Sequence, residues 1–261
     1  MKLLALILAF AISHLIPKPS RFRKFQWLDA WLNWFQGKST LKQQDLNLLV
    51  IIALPVIIIS IILFSIFSSL TGQLLISILV LVFCIGPESL DEDVDSNQIR
   101  TKLKVRKNAS MSTLIKKMVR VSLGRWFGVF FWYVVLGIVG VLIYRFAERL
   151  LHFIPKDSEL KLSINKLMKI LNYPVAWFMV ISLAIASDFE RVFKKCKPYM
   201  NVQNIKAMDA SFLYEATDFA VENCEADSKS ENNLEKVTLS VLKRMLVVWL
   251  VFVAILVIFT V

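Results

Sequence analysis

The chain has 261 residues, of which 57% are hydrophobic and 20% charged, with a formal net charge of +11. Its mean hydropathy is +0.61. Seven Gly and seven Pro beside nineteen Phe and seven Trp exclude a disordered, collagenous or polar-repeat chain. An ordinary soluble enzyme does not fit either, so the expectation is a membrane protein whose charges are segregated from its apolar runs.

The N-terminal run Leu3 to Ile16 is apolar, short, and ends at Pro17. With Lys2 it is similar to a signal peptide, but no small-x-small cleavage site follows, and an uncleaved short span is expected. Phe22 to Phe35 comes next, with Phe25, Leu28, Trp31, Leu32 and Phe35 on one helical face. Trp mixed with Lys and Arg predicts an interfacial helix, and a ligand groove with aromatic walls is the sharper alternative.

No Asp, Glu, Lys, Arg or His lies between Asp45 and Glu88. A crossing takes roughly 20 residues. Two spans are therefore expected, near 47–67 and 73–86, joined by the small polar run Ser68-Ser69-Leu70-Thr71-Gly72. Pro55 falls inside the first, where a kink is tolerated. The carboxylates Glu88, Asp91, Glu92, Asp93 and Asp95 lack the glycine and terminal Glu of a calcium loop, and a solvated turn is expected.

Met111, Leu114, Ile115 and Met118 form a stripe opposite Lys116, Lys117 and Arg120, with Ser110 as a candidate cap. This predicts a basic surface helix leading into a third span, Trp126 to Tyr144, bracketed by Arg125 and Arg145. Within and before it, Gly124-xxx-Gly128 and Gly137-xx-Gly140 offer close approach to other helices. Leu171 to Ser187, with Pro174 near its start, is a second short candidate span. Ile205, Met208, Phe212, Ala216, Phe219 and Asn223 predict a third amphipathic helix, and Met245 to Val261 the last span.

The expected fold is an all-α polytopic membrane protein, a bundle of four full and up to two short transmembrane helices with interfacial amphipathic helices. Residues 1–187 make the membrane domain, with interfacial segments at 17–46 and 88–122. Residues 188–244 make a cytoplasmic-side helical segment, and 245–261 the C-terminal transmembrane helix. Lys and Arg mark the cytoplasmic side, which places 17–46 and 87–122 there and the 68–72 turn outside. Six full crossings put 145–170 outside despite Arg145, Arg149, Lys156, Lys161, Lys166 and Lys169. The alternative is that 171–187 does not cross fully, and both counts stay open.

Chemistry-bearing motifs are sparse. Gly37-Lys38-Ser39-Thr40 lacks the earlier glycine of a phosphate-cradling loop, because that position is Leu32. Three cysteines without paired spacing and two distant histidines predict no disulfide framework, no metal and no cofactor. Arg125, Arg145, Glu148 and Arg149 are the candidates for holding an anionic ligand or a lipid phosphate, with snorkelling anchors as the plainer reading. The expected partners are the anionic inner leaflet and a cytoplasmic or membrane protein, with no nucleic acid.

The run from Trp126 to Arg145 carries Phe131-Trp132, Leu136-Gly137, Gly140 and Tyr144-Arg145. It resembles the "FW…LG…G…LYR" signature of the AmpE family, bacterial inner-membrane proteins linked to β-lactamase induction. More distantly it is similar to the CobD/CbiB cobalamin-pathway synthases. Cys84-Ile85-Gly86-Pro87 resembles the family's hairpin end. Leu171 to Ala176, containing Pro174, resembles its "LDWLPAR" segment, with Asn172 for Asp and Trp177 for Arg. The resemblance implies a regulatory or sensory multi-pass protein of the bacterial inner membrane that responds to β-lactam antibiotics.

The synthases' "DP…HPVR" and "ENTSDG" stretches have no counterpart at His14–Arg21 or Val119–Arg125. Synthase-type enzyme activity is therefore not expected. The alternative is a degenerate membrane enzyme acting on a phosphate-bearing amphiphile through Arg125, Arg145 and Glu148. A small transporter fits less well, since span centres carry no charge and no internal repeat appears.

Overall fold

The computed structural model describes residues 2–15, 30–31, 33–34, 44–66, 69–85, 103, 105, 110–155, 158–225 and 234–259. Among these the chain is helical, without strands. The carboxylate cluster at 88–95, the Gly37–Thr40 run and most of the aromatic segment at 22–35 lie outside the described residues.

Three helical stretches are long and apolar enough to cross a membrane: Met111–Phe153, Leu160–Ala186 and Lys236–Ile255. Leu3–Ser13, Val50–Ser65 and Thr71–Cys84 are shorter apolar helices. The chain divides into two compact units.

The first unit is Met1–Pro87 with Gly128–Leu171. It contains α1 (Lys2–Leu15), α2 (Gln44–Ile66), α3 (Leu70–Cys84) and α5 (Gly128–Phe153). Two apolar helices, α2 and α3, stand where the uncharged run predicts two, and each packs on other helices of the unit. Ser69 stops the turn by capping α3, its hydroxyl accepting from the Gly72 N–H at 3.2 Å. The α1 helix packs on α3, and α5 packs on α2 and α3. Phe10 meets the Phe130 ring edge-on at 6.3 Å. Helices apolar all round leave no water for their hydroxyls, so these bond backward. Ser13 donates to the Phe10 carbonyl at 2.8 Å and Ser77 to that of Gln73 at 2.7 Å.

Gly137 breaks α5 with φ 67° and ψ −148°, so the single uninterrupted span expected at 126–144 is not a straight helix. That conformation is open essentially to glycine alone. Gly128 and Tyr144 are sixteen positions apart, about 24 Å along a straight helix. Yet the Tyr144 ring fills the space where a Gly128 side chain would stand. The chain therefore reverses at Gly137. Gly140 presses against the Trp132 carbonyl and the Leu136 side chain. These glycines close the chain on itself, where the spacing had pointed to other helices.

The stretch 145–170 is helical over most of its described residues rather than a loop. The last turns of α5 lead through Ile154–Ser158 into α6 (Glu159–Ala186), whose first part belongs to this unit. The Lys161 ammonium donates to the carbonyls of Leu151 and, at 3.1 Å, Ile154. A cation there satisfies orphan carbonyls and complements the helix dipole.

The second unit is Glu88–Phe127 with Asn172–Val261. It holds α4 (Met111–Ser122), a π-helical turn Leu123–Phe127, the rest of α6, α7 (Phe189–Cys196), a 3-10 turn Lys197–Met200, α8 (Val202–Ala207), α9 (Ser211–Glu225) and α10 (Leu234–Phe259). The α4 stripe is as the periodicity predicts: Leu114, Ile115, Met118 and Val119 are buried, and Lys116, Lys117 and Arg120 exposed. Ser110 stands at the cap position, but its hydroxyl pairs with that of Thr113 at 2.8 Å and caps no N–H.

The stripe read from Ile205 to Asn223 is not one helix. Met208 adopts φ 47° and separates α8 from α9. Phe212, Leu213, Ala216, Thr217, Ala220 and Val221 form the buried face of α9. It packs on α4, α7 and α10. The last helix starts at Leu234, so Lys243 and Arg244 are interior to it, and it packs on α4 and α9.

Candidate functional site

The four charged candidates divide between the units: Arg125 belongs to the second, and Arg145, Glu148 and Arg149 to the first. Arg145 is only 8% exposed, so it does not snorkel. Its guanidinium donates to the Glu148 carboxylate one turn on, and Glu148 is itself largely shielded. A buried cation keeps its charge only beside a counter-charge. Glu148 thus supplies the counter-charge to Arg145, so two of the four candidates are paired with each other. Arg149 is half-buried on the same turn. Arg125 is 7% exposed in the π-helical turn, its guanidinium carbon 5.0 Å from the Trp126 ring centroid.

The motif residues serve packing. Phe131 meets Trp132 edge-on at 5.3 Å. Gly137 makes the reversal, and Gly140 and Tyr144 close it. The Tyr133 hydroxyl bonds Ser77, tying α5 to α3.

One indole has a role that spacing did not disclose. Pro55 has no N–H, which leaves the Ile51 carbonyl without its intrahelical donor. The Trp31 indole N–H donates to that carbonyl at 3.4 Å. The Trp132 indole N–H donates at 3.2 Å to the Leu171 carbonyl of α6, three residues before Pro174, whereas the carbonyl that Pro174 cannot serve is that of Ile170. Proline four residues beyond a carbonyl is the one sequence signal for such a partner.

Trp31 and Trp34 stack at 5.2 Å and 27°. With Pro55, Ile58 and Ile59 they line an open groove of about 410 Å³. Its walls are almost wholly apolar, which suits a hydrocarbon chain and offers nothing to a phosphate.

In the second unit Phe212 is the centre of an aromatic cluster. Trp177 stacks on it at 4.5 Å and 28°, and Tyr173 meets it edge-on at 6.0 Å. Nearby, a hydrogen bond to Glu215, then burial, pushes the Tyr199 hydroxyl up to about 12. Burial, then the Glu215 charge, raises the Cys196 thiol to about 11. A thiol held neutral is a poor nucleophile. Ser112 of α4 donates to Asp218 of α9 at 2.7 Å.

Among the described residues no group of three or more His, Cys, Asp or Glu is placed to hold a metal ion. No family model matches the chain, and neither a characterised protein nor a solved structure is significantly similar to it.

Proposed function

We propose that the chain is an AmpE-like regulatory protein, a multi-pass protein of the bacterial inner membrane that takes part in the response to β-lactam antibiotics. The motif residues from Phe131 to Arg145 support the family reading. Charge neutralisation at Arg145 and aromatic packing at Trp177 speak for a signalling bundle over a phosphate-handling enzyme.

One observation carries the mechanical part. The α9 helix packs on both α4 and α10, with the Ser112–Asp218 hydrogen bond in the first contact. A charged helix is thereby joined to a basic surface helix and to a long apolar helix. A partner bound on the exposed side of α9 would shift both together. The partners in this reading are the anionic inner leaflet and a cytoplasmic or membrane protein.

The test is β-lactamase induction by a β-lactam in cells that depend on this chain. Removing the chain should lower induction, and Asp218→Ala should lower it partially while the protein still accumulates in membranes. Induction unchanged by removing the whole chain would sink the regulatory reading. Induction lost on removal but untouched by Asp218→Ala would sink only the α9 coupling.

A further inference from the structure

We propose that 128–153 is a re-entrant hairpin, entering and leaving the membrane by the basic face, and that the chain from Ser112 to Asp218 makes no net crossing. The proposal rests on the membrane reading but not on the regulatory one.

Reversal at Gly137 is the first support. Tyr144 of the returning arm packs on Gly128 of the entering arm, so both arms reach the same level. The apolar part of the entering arm, 126–136, rises about 16 Å, and that of the returning arm, 138–144, about 10 Å. Neither covers the roughly 30 Å of a hydrocarbon core. Non-helical backbone at membrane depth is tolerated where protein buries it. Here α5 lies on α2 and α3, and its flanks Tyr133 and Gly140 are buried. The tip residues Val135 and Leu136, about half exposed, are apolar and suit a lipid surrounding.

Parity is the second support. Ser112 and Asp218 are hydrogen-bonded, so α4 and α9 share one aqueous face. The chain between them then crosses an even number of times. The stretches Met111–Phe153 and Leu160–Ala186 then either both cross or neither crosses. Reversal at Gly137 selects the second.

Charge is the third support. Six full crossings would put Arg149, Lys156, Lys161, Lys166 and Lys169 outside, against the distribution of Lys and Arg. A re-entrant hairpin keeps them from the outer side, and the conflict disappears.

The test is labelling of single cysteines by a membrane-impermeant maleimide, in a full-length chain whose three native cysteines are alanine. Thr71→Cys reports the outer turn. Ser158→Cys and Asn165→Cys report the α5–α6 junction, and Gln203→Cys reports α8. Thr71→Cys should label in intact spheroplasts, whereas the other three should label only after the membrane is permeabilised. Labelling of Ser158→Cys and Asn165→Cys in intact spheroplasts would overturn the hairpin. Labelling of Gln203→Cys alone would overturn the absence of net crossing. Recovery of the chain in the soluble fraction would overturn the membrane reading with it.

Discussion

Gly137 and Met208 both turn the chain at positive φ, and their surroundings differ in kind. Gly137 lies in the midst of an apolar run, at φ 67° and ψ −148°, a region where a Cβ is not tolerated. Met208 lies between two polar helices at φ 47°, in the left-handed region that other residues enter at a cost. The first reversal is held by close packing of Tyr144 on Gly128 and by the Arg145–Glu148 pair in the returning arm. The second sits beside water-accessible groups, with Tyr199 and Glu215 bonded nearby. A break inside a hydrophobic run must be built from glycine and packing, because no solvent can satisfy its backbone. A break in an aqueous segment needs neither.

The largest expected effect tests the packed reversal. Glu148→Ala leaves Arg145 shielded without its counter-charge, and should cost about 3 kcal/mol, at the low end for a buried pair because Glu148 keeps some solvent contact. Thermal unfolding in detergent reads this, and an unchanged midpoint would show that the pair carries no such burden. Gly137→Ala comes next, at about 1–3 kcal/mol, since alanine must leave the glycine-only region or strain it. At Met208 the sign reverses: Met208→Gly should stabilise by up to about 1 kcal/mol. A destabilised Met208→Gly chain would mean that the methionine side chain outweighs its backbone strain.

The smallest effect is the alkaline one, and it belongs to the aqueous reversal alone. Tyr199 and Cys196 have folded-state values raised above their usual 10.0 and 9.0. Their contribution is complete below pH 9 and fades as pH rises through about 11 for Cys196 and about 12 for Tyr199. Tyr199→Phe should flatten the upper part of this decline in an unfolding-against-pH series. Cys196 should react slowly with a maleimide near neutral pH, its rate climbing as pH approaches about 11 and levelling off above it.

Where the periodicity is strong the sequence is a good guide. The uncharged run from Leu46 to Pro87 is long enough for only one arrangement, two apolar helices joined at the small polar residues, and α2 and α3 turn at Ser69. The α4 stripe is equally readable, since one face of the helix is apolar and the other is Lys and Arg. The limits appear where one composition fits two geometries. Trp126 to Tyr144 reads as a span because hydropathy sums over a window and cannot register one backbone angle at Gly137. The four charged candidates share a chemistry, but only the fold shows Glu148 turned to Arg145 rather than to a ligand. Trp31 reads as an interfacial aromatic, and its indole donor gains a purpose only beside a proline distant in sequence.

Composition and charge by themselves determined the solvent this chain is built for, its helical class and the positions of its apolar runs. These follow from local terms: transfer of side chains out of water, backbone hydrogen bonds closed within a helix, and the preference of Lys and Arg for one face. Tertiary structure decided the reversal at Gly137, the neutralisation of Arg145 and the joining of α4 to α9. Each depends on which distant groups meet, and that is set by packing between helices rather than by any one of them.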